Sequence, residues 1–435
     1  MSGNRTAVDA DGHERDTMTA FPTGFLWGVA TAGHQNEGDN VTSDTWFLEN
    51  VSPTVFREPS GKACNGWELW ESDLDLVAGM GLNAYRFSVE WARIEPVEGE
   101  FSEEALAHYE AIVDGCHARG LTPLVTLSHF TSPHWFAARS AWLDPEAPAL
   151  FARFTGAVMD RFGDRIAYVV TFNEPDLPEM LTWAGLPPFV AELEKQTLGA
   201  ASVAAGVERY RAGNVMVRED FAGMRAGMTA AHLAAKAAVK ERRPDLPVGL
   251  SLAMCDDVAA PGGEAVRDRK RAEVYDYWLR LAADDDFIGV QNYERLVYGP
   301  DGLLPPPAGA VLNGMGTPVD PASLRGAVEY AHEVSGVPVL VTEHGVSTPD
   351  DAIRAGFIAP SLDLLADAIA DGIPVLGYCH WTLMDNFEWI FGYGPRLGLH
   401  EVDPETFART AKPSADAYAA YVAAARAATT TVPLP

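Results

Sequence analysis

The run TPLVTLSHF at Thr122–Phe130 and the run AYVVTFNE at Ala167–Glu174 flank an amphipathic stretch at 147–161. Both runs are nearly continuous in apolar and β-branched residues, and each closes on polar or aromatic ones. That is the pattern of a strand covered on both faces in a parallel sheet. Working outward, the same kind of run recurs at Phe25–Ala32, Ala84–Trp91, Pro247–Met254, Asp286–Tyr293, Pro338–Gly345 and Val375–Thr382. Helical stretches alternate with them. Trp67–Met80 spaces its apolar residues three and four apart and stops near Gly81, and Ser102–Arg119 opens on a Ser-Glu-Glu cap and halts at Gly120. Further amphipathic stretches cover 219–243, 264–283, 322–335, 361–371 and 413–427. Eight strand–helix alternations without a linker predict an α/β fold, a single (β/α)8 TIM barrel with long βα loops. Successive strand starts lie 59, 38, 45, 80, 39, 52 and 37 residues apart, so long loops follow the first, fourth and sixth strands. Those loops, with the proline-rich Pro305–Pro307, are expected over the barrel mouth. One catalytic domain is expected over 21–428, between a flexible segment at 1–20 and a tail at 429–435.

The chain has 435 residues, 61 of them Asp or Glu against 32 Lys or Arg, for a formal charge of −29. Such a surface repels phosphate backbones and anionic lipid, which argues against nucleic-acid or membrane partners. Cys64, Cys116, Cys255 and Cys379 stand far apart, without the short spacing of a zinc or redox motif, and read as reduced thiols. The first twenty residues hold no apolar export run. No stretch reaches the roughly 20 apolar residues of a membrane span. A cytoplasmic location is expected.

In a barrel of this kind the working residues lie where strands end. Those ends carry Gln35, Arg86, His129, Asn173–Glu174, Tyr293, Glu343 and Trp381. Glu174 and Glu343 close the fourth and seventh strands and converge on one axial cavity. Two carboxyl groups are what cleavage of a glycosidic bond needs, one protonated to donate to the leaving oxygen and one ionised to attack the anomeric carbon. Close like charges resist joint ionisation, and a neighbouring arginine, here Arg86, holds one of them ionised. Taken singly, His129 reads as a satisfied core histidine, Trp381 and Trp389 as packing residues and Arg86 as a structural ion-pair partner. Their common place around one cavity favours a site.

Several phrases resemble glycoside hydrolase family 1, the β-glucosidase-type retaining enzymes. They are FLWGVATAGHQNEG (Phe25–Gly38), YRFSVEW (Tyr85–Trp91), VTLSH (Val125–His129), TFNEP (Thr171–Pro175), the run Asp286–Tyr293, VTEHG (Val341–Gly345) and WTLMDNFEWIFGYGPRLGLHEVD (Trp381–Asp403). The resemblance implies Glu174 as general acid/base and Glu343 as nucleophile. It implies Arg86 and Tyr293 flanking the nucleophile, and Asn173 on the sugar 2-hydroxyl. Gln35, His129 and Glu388 would meet the outer hydroxyls, while Trp381 and Trp389 face the apolar side of the pyranose. No metal or organic cofactor is implied, and the partner is a small-molecule glycoside or oligosaccharide. Glu388 repels a phosphate dianion at close range, which favours unphosphorylated β-glycosides; the resemblance puts β-glucosides first, with galactosides and fucosides left open. A transglycosylase would use the same intermediate. A non-catalytic sugar-binding barrel would lack one carboxylate, and both are present.

Departures from the family pattern are local. His344 stands where the family has Asn in Thr-Glu-Asn-Gly, Phe130 where it has Trp after the histidine, and Gln291-Asn292-Tyr293 where it has Asn-Tyr-Tyr. The segment Asp176–Val217 bears little likeness to the family. It lies on the leaving-group side, so aglycone preference is the property least carried over.

Overall fold

Eight parallel strands close on themselves: β1 Leu26–Ala30, β2 Ala84–Ser88, β3 Thr122–Ser128, β4 Tyr168–Asn173, β5 Val248–Ala253, β6 Phe287–Asn292, β7 Val339–His344 and β8 Val375–Trp381. Each pairs with its neighbours in sequence, and β8 pairs with β1 to complete the barrel. This computed structural model describes residues 21–185 and 187–428, and within 1–20 only Ala7–Val8 and Glu14–Arg15, paired as two short antiparallel strands. The remainder of the segment expected to be flexible, and the tail at 429–435, lie outside the described residues.

The strands are buried on both faces, which is why their sequences run apolar without alternation. One cluster gathers Leu26, Ala84, Leu124, Val170, Phe287, Leu340 and Leu376, each from a different strand. Only the barrel interior brings such residues together, so this layer plugs the bottom beneath the polar mouth. The outer faces pack on α1 Gly66–Gly79, α2 Glu103–Ala118, α3 Ala147–Phe162, α4 Phe221–Arg242, α5 Glu264–Val274, α6 Ser323–Ser335, α7 Asp351–Ala370 and α8 Pro413–Ala427.

Ser102 caps α2 as its sequence suggests, its side chain accepting from the Ala105 N–H. Three expectations are corrected. The helix expected at 361–371 begins at Asp351, capped by the Asp350 side chain, and runs through Pro360, whose missing N–H costs the packed helix one hydrogen bond without ending it. The helix expected at 264–283 is interrupted at Tyr275, whose buried hydroxyl accepts the Cys255 N–H at 3.1 Å, and resumes at Asp276–Leu281. The second strand stops at Ser88, because Trp91–Ile94 forms a helical turn that buries Trp91. The four cysteines are free; Cys64, Cys116 and Cys379 are buried. No helix among the described residues is long and apolar enough to cross a membrane.

Candidate active site

The strand register shifts between Val170 and Asn173 on β4 and between Val341 and Glu343 on β7. Irregularities of this kind re-aim the side chains that follow them. On β7 the shift turns Glu343 toward Arg86 of β2, across the barrel. Glu174, one residue past β4, sits in the left-handed region at φ 48°, its N–H bound to Ser251 O at 2.7 Å. Non-glycine residues persist there only where their surroundings over-determine them.

Glu343 is 3% exposed. Arg86 Nη1 donates to its Oε1 at 2.5 Å and the Tyr293 hydroxyl donates to its Oε2 at 2.6 Å. Arg86, fully buried, also donates to Thr126 Oγ1 at 3.1 Å, to Thr342 O at 3.3 Å and to Asn173 Oδ1 at 2.5 Å. One guanidinium thus ties the carboxyl end of β4 to that of β7, with the planar donor geometry that lysine lacks.

The two glutamates differ electrostatically. Burial raises both above the usual carboxylate range. For Glu343, the Arg86 charge and the Tyr293 and Arg86 hydrogen bonds oppose that rise. Glu174 has no such hydrogen bonds, and the charge of Glu343 pushes it further up. Such a pair divides into one proton holder and one anion. Glu174, one residue past β4, thus lies near enough to Glu343 on β7 to feel its charge.

A ladder of rings lies alongside. His34 stacks on Trp389 (5.7 Å, 9°), Trp389 on His129 (6.1 Å, 12°) and His129 on Trp381 (5.7 Å, 16°). Burial holds His129 neutral. Gln35, in the helical turn Gly33–Asn36, donates its Nε2 to Phe387 O at 2.8 Å. Gln35 Oε1, His129 Nδ1 and Glu388 Oε1 are buried without hydrogen-bond partners. Unpaired polar atoms are rare in a folded interior, and a cluster of them beside aromatic faces is built to meet an outside polar molecule. Burial, then the charge of Glu343, pushes Glu388 up to about 8, with Trp381 and Gln35 opposing. Glu388 is therefore largely protonated near neutrality. The repulsion of a phosphate expected from the Glu388 charge is weakened accordingly.

Around this cavity Arg86, Asn173, Tyr293 and Glu343 are joined by hydrogen bonds, and His129, Trp381 and Trp389 by stacked rings. His344 turns away from it: its Nδ1 meets the Tyr378 hydroxyl at 2.9 Å and its ring stacks on Phe357 of α7. Asn292 braces the backbone beyond β5, donating to Met254 O at 2.8 Å and accepting from Ser323 at 2.7 Å. Gln291 by contrast enters the site, its Nε2 donating to Asn173 Oδ1 at 2.5 Å and to Ser251 Oγ at 3.0 Å. Sequence reasoning missed Thr126, Ser251, His34 and Asn386. The last is 2% exposed with both amide atoms unpaired, and its place in the DNFEW phrase was the available signal. Thr126 and Ser251 carried none, being small polar residues inside apolar strands. Phe130 bounds the site: its ring meets Trp389 and His129 edge-on at 5.1 and 5.2 Å. Beyond it opens a cavity of about 520 Å³ walled by Leu177, Leu181, Val190, Met216 and Phe221.

Known proteins share this fold. A β-glycosidase, BGL167, superposes with a TM-score of 0.88 at 44% identity, over 95% of this chain and 99% of its own. A β-glucosidase of Thermotoga maritima bound to noeuromycin shares the fold at 23% identity, TM-score 0.80, over 93% and 99% of the two chains. In sequence, a β-glucosidase of an Agrobacterium species is 32% identical, across 93% of this chain and 96% of that protein. A bifunctional β-D-glucosidase/β-D-fucosidase of Bifidobacterium breve is 29% identical, across 93% and 98%. The family model described as glycosyl hydrolase family 1 matches residues 17–278 and 312–426. With that match over most of its length, the chain belongs to glycosyl hydrolase family 1 and is a glycoside hydrolase.

Proposed function

We propose that this enzyme hydrolyses unphosphorylated β-glycosides, β-glucosides foremost, with retention of configuration. The observation that carries the reading is the unequal treatment of two carboxyl groups in one cavity. Glu343 accepts two short hydrogen bonds that favour its anion, while Glu174 is left to hold a proton. Glu174 protonates the glycosidic oxygen as Glu343 attacks the anomeric carbon, forming a glycosyl ester and releasing the aglycone. Glu174, now ionised, takes a proton from water, which attacks the same carbon and frees Glu343. Two inversions leave the sugar in the β configuration. The mechanism requires the carboxyl groups about 5–5.5 Å apart.

Asn173, its Oδ1 already occupied, turns its Nδ2 to the 2-hydroxyl, a contact that strengthens as the ring flattens. Gln35, His129 and Glu388 hold the outer hydroxyls through their unpaired atoms, and Trp381 and Trp389 cover the C–H face. The name β-glucosidase, borne by the Agrobacterium relative, supports a gluco-configured sugar.

The test combines stereochemistry with substitution. Proton NMR of an early time course shows the β anomer appearing first. Glu343→Gln, isosteric and unable to attack, loses on the order of 10⁴-fold or more in kcat. An α anomer as first product, or activity retained in Glu343→Gln, removes the assignment.

A further inference from the structure

The Asn173 amide is held from two sides. Arg86 Nη2 lies 2.5 Å from one of its terminal atoms. A guanidinium only donates, so that atom is the oxygen. Gln291 Nε2 reaches the same oxygen at 2.5 Å and Ser251 Oγ at 3.0 Å. Reversing the Gln291 amide would set its oxygen against Asn173 Oδ1, acceptor against acceptor, so the Arg86 contact fixes both amides in turn. Both lone pairs of Asn173 Oδ1 are then used, and its Nδ2 makes no hydrogen bond among the described residues. Gln291 is 1% exposed and spends its donor here although its own Oε1 stays unpaired. A residue present only to fill space carries no reason to hold an unpaired buried oxygen beside that donor, since a hydrocarbon of the same size avoids the cost.

We propose that Gln291 is a positioning residue for the glycosyl transfer: together with Arg86 it locks the Asn173 amide so that Nδ2 donates to the sugar 2-hydroxyl. The proposal rests on the assignment of Asn173 made above. With Gln291 gone, Arg86 still binds Asn173 Oδ1, but one bond leaves the amide plane free to rotate about it. A contact that tightens in the transition state suffers most from such freedom, so the loss falls on kcat more than on KM.

The experiment compares an aryl β-glucoside with its 2-deoxy counterpart, identical in leaving group, on the wild type and on Gln291→Leu and Gln291→Met. Both substitutions remove the donor but fill the space differently, so one serves if the other fails to fold. Wild type prefers the hydroxylated substrate. In both variants kcat/KM on the glucoside falls about tenfold, while the 2-deoxy rate stays within about twofold. Gln291→Asn, which restores an amide donor, recovers part of the preference. Equal slowing on both substrates means a merely structural role and overturns the proposal, as does no change on either. If wild type itself treats the two substrates alike, it is the Asn173 assignment that fails. A preference in wild type that survives undiminished in the variants rejects Gln291 alone.

Discussion

Around Glu343, the side chains of Arg86, Thr126, Asn173, Ser251 and Gln291 are all buried and joined by hydrogen bonds that cross from strand to strand. Behind Phe130, the helices Leu177–Ala184 and Pro188–Ala205 bury only Thr197, Leu198 and Ala201 between them. The sugar end hangs on barrel strands, and each of its polar groups is aimed by another. The side proposed to take the leaving group hangs on a connection, with a cavity whose wall mixes apolar residues with Glu194, Lys195 and Arg218. Precise orientation is concentrated where bonds change, and variation is permitted where only a shape has to fit.

The largest effect expected at this boundary comes from Glu174, which serves both regions. Glu174→Gln removes the proton donor to the leaving oxygen, a contribution of roughly 10²–10⁴ in rate. The loss should scale with the leaving group's need for a proton: severe for alkyl glycosides, slight in the first step for dinitrophenyl glycosides that depart as stable anions. Pre-steady-state release of the phenol separates that step from the later one, in which the missing base slows water attack. Equal losses across leaving groups would place Glu174 outside proton transfer.

Two raised carboxyls, one per region, sharpen the contrast. Burial lifts Glu388 to about 8 and Glu194, lining the cavity beyond Phe130, to about 7. In each case the folded value exceeds the unfolded one, so the stabilising contribution is complete below about pH 4.5 and is lost as pH rises through the folded value. Replacing either with Gln removes that loss. Urea unfolding should show Glu388→Gln gaining about 1–3 kcal/mol over wild type between pH 5 and pH 8.5. Glu194→Gln gains less over the same span. Only Glu388→Gln should also raise KM for glucosides, because the unpaired Glu388 oxygen is the one proposed to meet the sugar.

The same division explains what the sequence disclosed. Strands sealed on both faces announce themselves as continuous apolar runs, and each of the eight was placed to within a few residues. Glu174 and Glu343 were singled out because they close such runs within the phrases TFNEP and VTEHG. Gln291 and Ser251 were not, since their partners lie 118 and 91 residues away in sequence and no local pattern encodes the meeting. The helix Pro188–Ala205 escaped for a different reason. Phe189 and Val203 are 67% and 84% exposed, so its apolar residues do not mark one inner face. The first half of helix α7 was missed although Asp350 caps it, and the helix runs on through Pro360, a residue that removes one intrahelical hydrogen bond.

The smallest predicted effect is the cleanest probe of the boundary. Phe130 touches both regions, Trp389 and His129 on one side and the cavity on the other. Phe130→Ala therefore disturbs the sugar platform as well as the wall, and a single rate would mix the two. A glucosyl fluoride carries the sugar but nothing that reaches the cavity, whereas an aryl glucoside carries both. Their ratio cancels the shared disturbance. Truncating one ring that packs against an aryl group costs about 1 kcal/mol of contact, so the aryl-to-fluoride ratio of kcat/KM should fall about fivefold. Phe130→Trp, which restores a larger ring, should bring the ratio back up. A ratio unmoved by both substitutions would mean the aglycone leaves by another face, and the cavity beyond Phe130 would then lose its place in catalysis.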